Sequence, residues 1–232
     1  MNNNIIVLAG LSAAGKDTLA KIISLSCGYN FVISHSTRPM RPGESQENPY
    51  YFIDDNEMLS MLVNKELIEI REYITTKGKW YYALHKNQIE DDKKYIIVSD
   101  LLAAEEIKKH YEDRVKTIFI QSSDEDRLAR AQTRKDFCID EWNRRLKDDK
   151  EKFNESYIKK VCDVAIINND LKKATINIIK YIEDLESKPK YQNNVMNKEE
   201  FERLLMQDLD EEKYQSEKKN FQIEDKINEQ IV

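Results

Sequence analysis

Apolar and polar positions alternate in blocks along residues 1–187, in a way that predicts strands interleaved with helices. Residues 5–9 (Ile-Ile-Val-Leu-Ala) form a continuous β-branched, apolar run, the pattern of a strand buried on both faces. Residues 17–25 then carry Leu19, Ile22, Ile23 and Leu25 at helical spacing. Short apolar runs recur at 31–33, 95–98, 116–120 and 164–167 and read as further strands. Helical periodicity recurs at 55–64, with Met58, Leu59, Met61 and Leu62 on one face, and again at 101–111 and 171–185. Residues 124–155 predict a long, charged helical region broken near Lys135-Asp136, and residues 67–70 and 80–82 predict small antiparallel strands. Between 34 and 52 the chain is polar and holds Pro39, Pro42 and Gly43, which excludes a core strand or a long helix there. Strands alternating with helices imply an α/β fold, a mostly parallel sheet with helices on both faces.

Beyond Lys188-Pro189 the pattern changes. Residues 190–232 are rich in Glu, Lys, Asn and Gln, and Phe201, Leu204, Leu205 and Leu209 make one apolar helical stripe. Such a stripe belongs either to a partner-binding or self-associating helix or to a solvated appendage. The chain therefore divides into residues 1–187 and a charged, mostly helical extension at 188–232. With 37 basic and 43 acidic residues the net charge is -6, which argues against a nucleic acid polymer as partner and leaves room for a local basic pocket. No run approaches the roughly 20 apolar residues that span a bilayer. The start Met1-Asn2-Asn3-Asn4 lacks the basic residues of a secretory signal, so a cytoplasmic protein without membrane contact is expected. Cys27, Cys138 and Cys162 form no CxxC pair and read as buried or incidental thiols. His35, His85 and His110 have no metal-ligand spacing.

The first chemistry lies between the strand at 5–9 and the helix that follows. Gly10-Leu11-Ser12-Ala13-Ala14-Gly15-Lys16 has the spacing G-x-x-x-x-G-K. Glycines let backbone N–H groups turn inward around phosphate oxygens, and the next helix presents its positive end to the same anion. Lys16 adds a point charge for the β- and γ-phosphates. Gly10, Ser12, Ala13, Ala14, Gly15, Lys16, Asp17 and Thr18 are the candidates for binding a nucleotide's phosphates. Asp17 stands where a serine or threonine commonly reaches Mg²⁺, so Asp17 or Thr18 would meet that ion through water and no side chain is assigned as a direct ligand.

A second constellation is Ser34-His35-Ser36-Thr37-Arg38-Pro39-Met40-Arg41-Pro42-Gly43-Glu44, followed by Tyr50-Tyr51-Phe52. Two arginines three residues apart on a proline-stiffened loop suit one phosphate dianion, and a tyrosine hydroxyl adds a donor. Two phosphate-binding elements in one small α/β chain favour a donor and an acceptor phosphate, hence phosphoryl transfer. Asp100 follows a buried strand, at the carboxyl edge where α/β proteins bind ligands.

These stretches resemble the guanylate kinase family, in order from about residue 5 to residue 185. Glu66-Leu67-Ile68-Glu69, Tyr81-Tyr82, the arginines of 130–145 and Ile167-Asn168-Asn169-Asp170-Leu171 add to the likeness. The resemblance implies the P-loop nucleoside monophosphate kinase fold, with an NMP-binding insert at about 34–90 and a small lid at about 130–148. It implies an enzyme that moves the γ-phosphoryl of ATP to GMP or dGMP with Mg²⁺, as a monomer or homodimer. Ser34, Arg38, Arg41, Tyr50 and Tyr82 would hold the acceptor nucleotide. Glu69 and Asp100 would accept from guanine N1–H and the 2-amino group. Lys16, Arg41, Arg130, Arg134 and Arg145 would neutralise the transferring phosphoryl, the last three sharing one helix side if the helix is continuous. Asn168 would contact the donor adenine.

Some positions depart from the family. Ala83-Leu84 follows Tyr82 where Gly-Thr or Gly-Ser is usual, so the hydroxyl that helps read guanine O6 is missing. Val98 and Lys135 replace a usual Asp and Gly, and 73–79 is a few residues longer. Two other readings follow from these departures: a kinase of the same fold with another acceptor, such as a different or modified nucleotide or ribose 1,5-bisphosphate, and a non-catalytic binding module.

Overall fold

The computed structural model describes residues 4–187. The expected helical extension at 188–232, and its self-association, lie outside the described residues. The chain opens with β1 (Ile5–Gly10), α1 (Lys16–Cys27) and β2 (Asn30–Val32). An insert follows: β3 (His35–Ser36), β4 (Ser45–Gln46), β5 (Pro49–Phe52), α2 (Asp55–Val63), β6 (Leu67–Thr75) and β7 (Gly78–His85). Strand–helix alternation then resumes with β8 (Tyr95–Ser99), α3 (Leu101–Tyr111), β9 (Val115–Gln121), α4 (Asp124–Gln132), α5 (Ile139–Lys152), α6 (Glu155–Val161), β10 (Val164–Ile167) and α7 (Leu171–Ser187).

The main sheet has the order β10-β9-β1-β8-β2 and every pairing in it is parallel. All of β1 is buried, which explains its unbroken apolar run. Its residues alternate between two cores. Ile6 and Leu8 pack with Leu19 and Ile23 of α1 and with Ile178, Ile179 and Ile182 of α7. Ile5, Val7 and Ala9 pack on the other face with Leu101, Ala104 and Ile107 of α3 and Val161 of α6. Helices thus cover both faces, as expected for this α/β class. From β1 the chain passes to β2 and β8 on one side and only later crosses to β9 and β10 on the other, so the carboxyl ends of the central strands open a crevice where the strand order reverses.

The insert builds a second sheet, β4-β5-β3-β7-β6. Its β6–β7 hairpin is antiparallel and longer than the sequence predicts. Charged Glu69 and Arg71 interrupt the apolar pattern because their face of β6 turns to a polar cleft instead of a core, while Glu72 lies on the opposite, exposed face and pairs with Lys79 at 3.1 Å. At the hairpin turn Gly78 has φ +139°, and a Cβ there would lie 2.8 Å from the Trp80 ring. Helix α2 is capped by Asp54, whose side chain accepts from the Glu57 N–H while Glu57 returns the bond to the Asp54 N–H.

The region 124–155 is helical and broken around Lys135-Asp136, as its sequence predicts. It holds α4, a turn at 133–138, α5, and a second break before α6, where Asn154 accepts from the Tyr157 N–H at 2.9 Å. Arg130 therefore sits on α4, Arg134 in the turn and Arg145 on α5, and the expected alignment of all three on one continuous helix does not occur. Among the described residues no helix is long and apolar enough to cross a membrane.

Candidate functional site

The floor of the crevice is the loop between β1 and α1. Gly10 passes so close to β9 that a Cβ would lie 2.3 Å from the Ile120 carbonyl oxygen. Gly15 has φ +88°, and a Cβ there would lie 2.4 Å from Asn168 Nδ2. Ala13 takes the left-handed region at φ 60°, a conformation that costs an alanine of order 1 kcal/mol and folds the loop back over the start of α1. The N–H groups of the first turn of α1 and its positive end face the loop, the arrangement that binds phosphate. Lys16 Nζ donates to the carbonyls of Gly10 and Leu11, both at 2.8 Å. Burial lowers the Lys16 pKa, while Asp17, Asp149 and Asp100 act in the opposite direction.

The loop is held from beneath by groups the sequence assigned to other tasks or passed over. Asn168 Nδ2 donates to the Ala14 carbonyl at 2.8 Å, and Arg130 donates to that carbonyl at 3.3 Å, to Ser122 Oγ at 3.0 Å and to the Asn168 carbonyl at 2.6 Å. Both stand behind the loop and neither borders the cleft. Arg127 and Asp149, absent from the sequence-derived site, make the firmest tie. Arg127 is 2% exposed; its Nε donates to the Ser12 carbonyl at 2.8 Å and its NH2 pairs with Asp149. Asp149 in turn accepts from Ser12 N at 3.0 Å and Ser12 Oγ at 3.2 Å.

Above this floor the insert and the α4–α5 region enclose a cleft of about 920 Å³. Lys16 and Asp17 lie on one wall; Ser34, Arg38, Arg41, Tyr50 and Tyr82 lie on the other. Arg38 is buried between the rings of Tyr50 and Phe52, 5.0 and 5.1 Å from their centroids. Glu44 fixes it through a two-pronged contact at 2.7 and 2.6 Å and also accepts from the Arg41 N–H at 2.8 Å. Glu44 thus orients both acceptor arginines, a role hidden in the motif. The Tyr50 ring meets Tyr82 edge-on at 5.3 Å, and burial pushes its hydroxyl pKa up.

Asp100, Arg71 and Tyr73 line one end of the cleft, and Glu69 is buried behind Arg71. Glu69 is 6% exposed, and burial pushes its carboxyl pKa up against the pull of Arg71, which donates Nε and NH2 to it at 2.9 and 3.0 Å. Asp100 accepts from the Ala103 N–H at 2.9 Å, capping α3, and from the Tyr73 hydroxyl. Burial alone would raise the Asp100 pKa; Arg71 and these two donors bring it below its ordinary value. Arg71 and Tyr73 were not found from the sequence. The signal was there: Glu69, Arg71 and Tyr73 lie two apart and so share one face of a strand.

Arginines gather at the mouth. Arg41 Nε contacts Asp136 at 2.7 Å, joining the insert to the α4–α5 turn. Arg134 is exposed there, yet its pKa is lowered by desolvation between the walls and by the neighbouring Arg145 and Arg41, so an incoming anion would relieve it. Arg145 is held by Glu141 at 2.8 Å, as is Arg144. Burial works to raise the Glu141 pKa, but bonds from Arg144, Arg145 and the Thr76 N–H take it from the ordinary 4.5 down to about 2. A carboxyl lowered on folding stabilises above its unfolded pKa, and that contribution disappears as pH falls from about 4.5 to about 2. Urea midpoints should therefore fall over this window in the native chain and less in Glu141→Gln. Parallel curves for the two proteins would contradict this.

The guanylate kinase family model matches residues 2–185. A guanylate kinase of Legionella pneumophila (strain Paris) is 28% identical over 184 residues, covering 76% of this chain and 84% of that protein. One of Francisella tularensis is 29% identical over 195 residues, covering 79% and 97%. The crystal structure of a guanylate kinase from Anaplasma phagocytophilum superposes with a TM-score of 0.61 at 23% identity, over 81% of this chain and 88% of that one, and shares the fold. The match to the family model takes in every strand, from the phosphate loop to the closing helix, and on that ground the chain belongs to the guanylate kinase family.

Proposed function

We propose that this protein transfers the γ-phosphoryl group of ATP to GMP or dGMP, giving ADP and the corresponding diphosphate. The observation that carries this reading is one cleft with a phosphate loop on one wall and an arginine–tyrosine pocket on the other, with Asp100 lining it and the buried Glu69 tied to Arg71 beside it. ATP lies on the loop, its phosphates taking N–H groups at the start of α1 and the Lys16 ammonium, while the Ser12 N–H stays on Asp149. Asn168 and Arg130 keep that loop in shape from behind. Arg38, Arg41, Tyr50, Tyr82 and Ser34 hold the acceptor phosphate, and Glu69 and Asp100 take the donors on the guanine edge.

Transfer then requires mainly alignment and charge neutralisation. The acceptor is already a phosphate dianion, so no general base is assigned. Lys16, Arg41, Arg134 and Arg145 surround the space between the two phosphates and offset the charge spread over the moving group. Asp17, exposed in the first turn of α1, and Thr18 beside it offer the hard oxygen donors that suit Mg²⁺ through water. When bound with ATP, Mg²⁺ would neutralise the β- and γ-phosphates. Since the substrates are nucleotides, we place the reaction in the cytoplasm.

ADP release from Mg-ATP with GMP, dGMP, AMP, CMP, UMP, dTMP and ribose 1,5-bisphosphate tests the proposal. A clear preference for GMP or dGMP supports it, and a preference for any other acceptor refutes it. Arg41→Ala should lower kcat and raise the acceptor KM together, a loss of about 10–100-fold in kcat/KM for one charged phosphate contact. Unchanged kinetics would take Arg41 out of the site.

A further inference from the structure

The face of β6 that borders the cleft holds a group the reaction scheme above leaves unused. Arg71 is paired with Glu69 and interacts electrostatically with Asp100, and its side chain is 11% exposed. It spends one edge, Nε and NH2, on Glu69 at 2.9 and 3.0 Å. A guanidinium is planar and carries five N–H donors, so the edge formed by NH1 and NH2 remains as a second fork. Among the described residues none accepts a hydrogen bond from that fork, and Arg71 lines the cleft. Leu84, the cross-strand partner of Glu69, is fully buried and has no polar side-chain atom to offer a base.

Guanine needs more than carboxylates. Its N1–H and 2-amino group are donors, while O6 between N1 and N7 is an acceptor. Glu69 and Asp100 can take the donors, but they would repel the carbonyl oxygen. An acceptor left unpaired in a closed site costs about tenfold or more in discrimination. Arg71 stands next to both carboxylates and has the matching donors.

We propose that Arg71 is a specificity-determining residue of this site, whose second fork donates to guanine O6 while Glu69 fixes the plane of the guanidinium. This rests on the GMP reading and extends it. A base with an amino group at that position, as in adenine, would set donor against donor and be rejected. The pocket would thus read guanine by a donor–acceptor pattern built from an ion pair.

The test is kcat/KM for GMP, 6-thio-GMP (weak acceptor in place of O6), IMP (no 2-amino group) and AMP. The proteins are the native chain, Arg71→Lys, Arg71→Met and the charge-neutral Glu69→Gln/Arg71→Met, each checked by thermal melting. The native protein should favour GMP over 6-thio-GMP by about tenfold. That ratio should collapse in all three variants, and the AMP penalty should shrink, while the GMP/IMP ratio of Arg71→Lys stays near native. If Arg71 only braces Glu69, the GMP/IMP ratio falls and the 6-thio-GMP ratio stays, and that result overturns the proposal. Should Arg71→Met fail to fold because Glu69 is left buried and unpaired, the lysine and double variants carry the same test. A native protein without any GMP preference over AMP overturns the GMP reading itself, whereas a GMP preference with unchanged 6-thio-GMP ratios overturns only the role of Arg71.

Discussion

Replacing Lys16 with alanine should abolish measurable phosphoryl transfer and leave the chain folded. The ammonium sits at the turn from loop to helix, within 2.8 Å of two loop carbonyls, on the wall that faces the acceptor arginines. In a transfer that involves little covalent chemistry by the protein, a charge placed at the β- and γ-phosphates acts when negative charge develops there. Losing one such preorganised donor costs about 10²–10³-fold in kcat. A loss of ADP binding should accompany it, since the same charge meets the ground-state phosphates. The fold should survive because Lys16 contributes nothing to either apolar core. ADP release and a thermal melt measured on the same preparation decide the matter: near-native turnover in Lys16→Ala would remove the loop from the mechanism.

The second large effect is expected from a residue that braces the phosphate loop. Asp149→Ala should lower stability by about 3–5 kcal/mol, the usual consequence of removing one partner of a buried ion pair. For a domain of this size that is a drop of about 6–20 °C in Tm. The reason is specific: Arg127 is 2% exposed and would keep only Asp124, whose side chain is 61% exposed, as a charged partner. Turnover should fall as well, because Asp149 holds both Ser12 N and Ser12 Oγ and so fixes the phosphate loop. Asp149→Leu combined with Arg127→Met separates the two effects. Replacing a buried pair by apolar side chains is often neutral for stability, so Tm should recover while turnover stays low. If turnover recovers along with Tm, the pair does not position the loop.

Much of this molecule can be read from its sequence, and the reasons are physical. The strands of the main sheet are buried on both faces, so β1, β8 and β10 announce themselves as apolar runs. The loop from Gly10 to Gly15 is legible because close approach to Ile120 and Asn168 admits only glycine at its ends. The hairpin is less so: β6 faces a polar cleft, and its charges hide both its length and Arg71. Arg127 and Asp149 are 22 residues apart on different helices, and only the fold shows that they meet beneath Ser12. The same folding separates Arg130 from Arg134 and Arg145, whose spacing suggested a common helix face. Spacing predicts neighbours only within one element, and these three belong to three.

The position of β1 has a consequence for synthesis. β1 is made before both of its partners and is also the centre of the sheet, paired with β8 on one side and β9 on the other. Neither partner exists until residues 95–121 have been made, which at about 5–20 residues per second takes roughly 5–20 s. For that interval an apolar strand with two unpaired edges waits on a growing chain, open to pairing with other nascent chains. The insert and its hairpin, by contrast, find their strand partners within residues 35–85 and can close earlier. The acceptor side of the enzyme is thus ready for assembly before the strand that carries its phosphate loop, and chaperone dependence should track the exposure of residues 5–10.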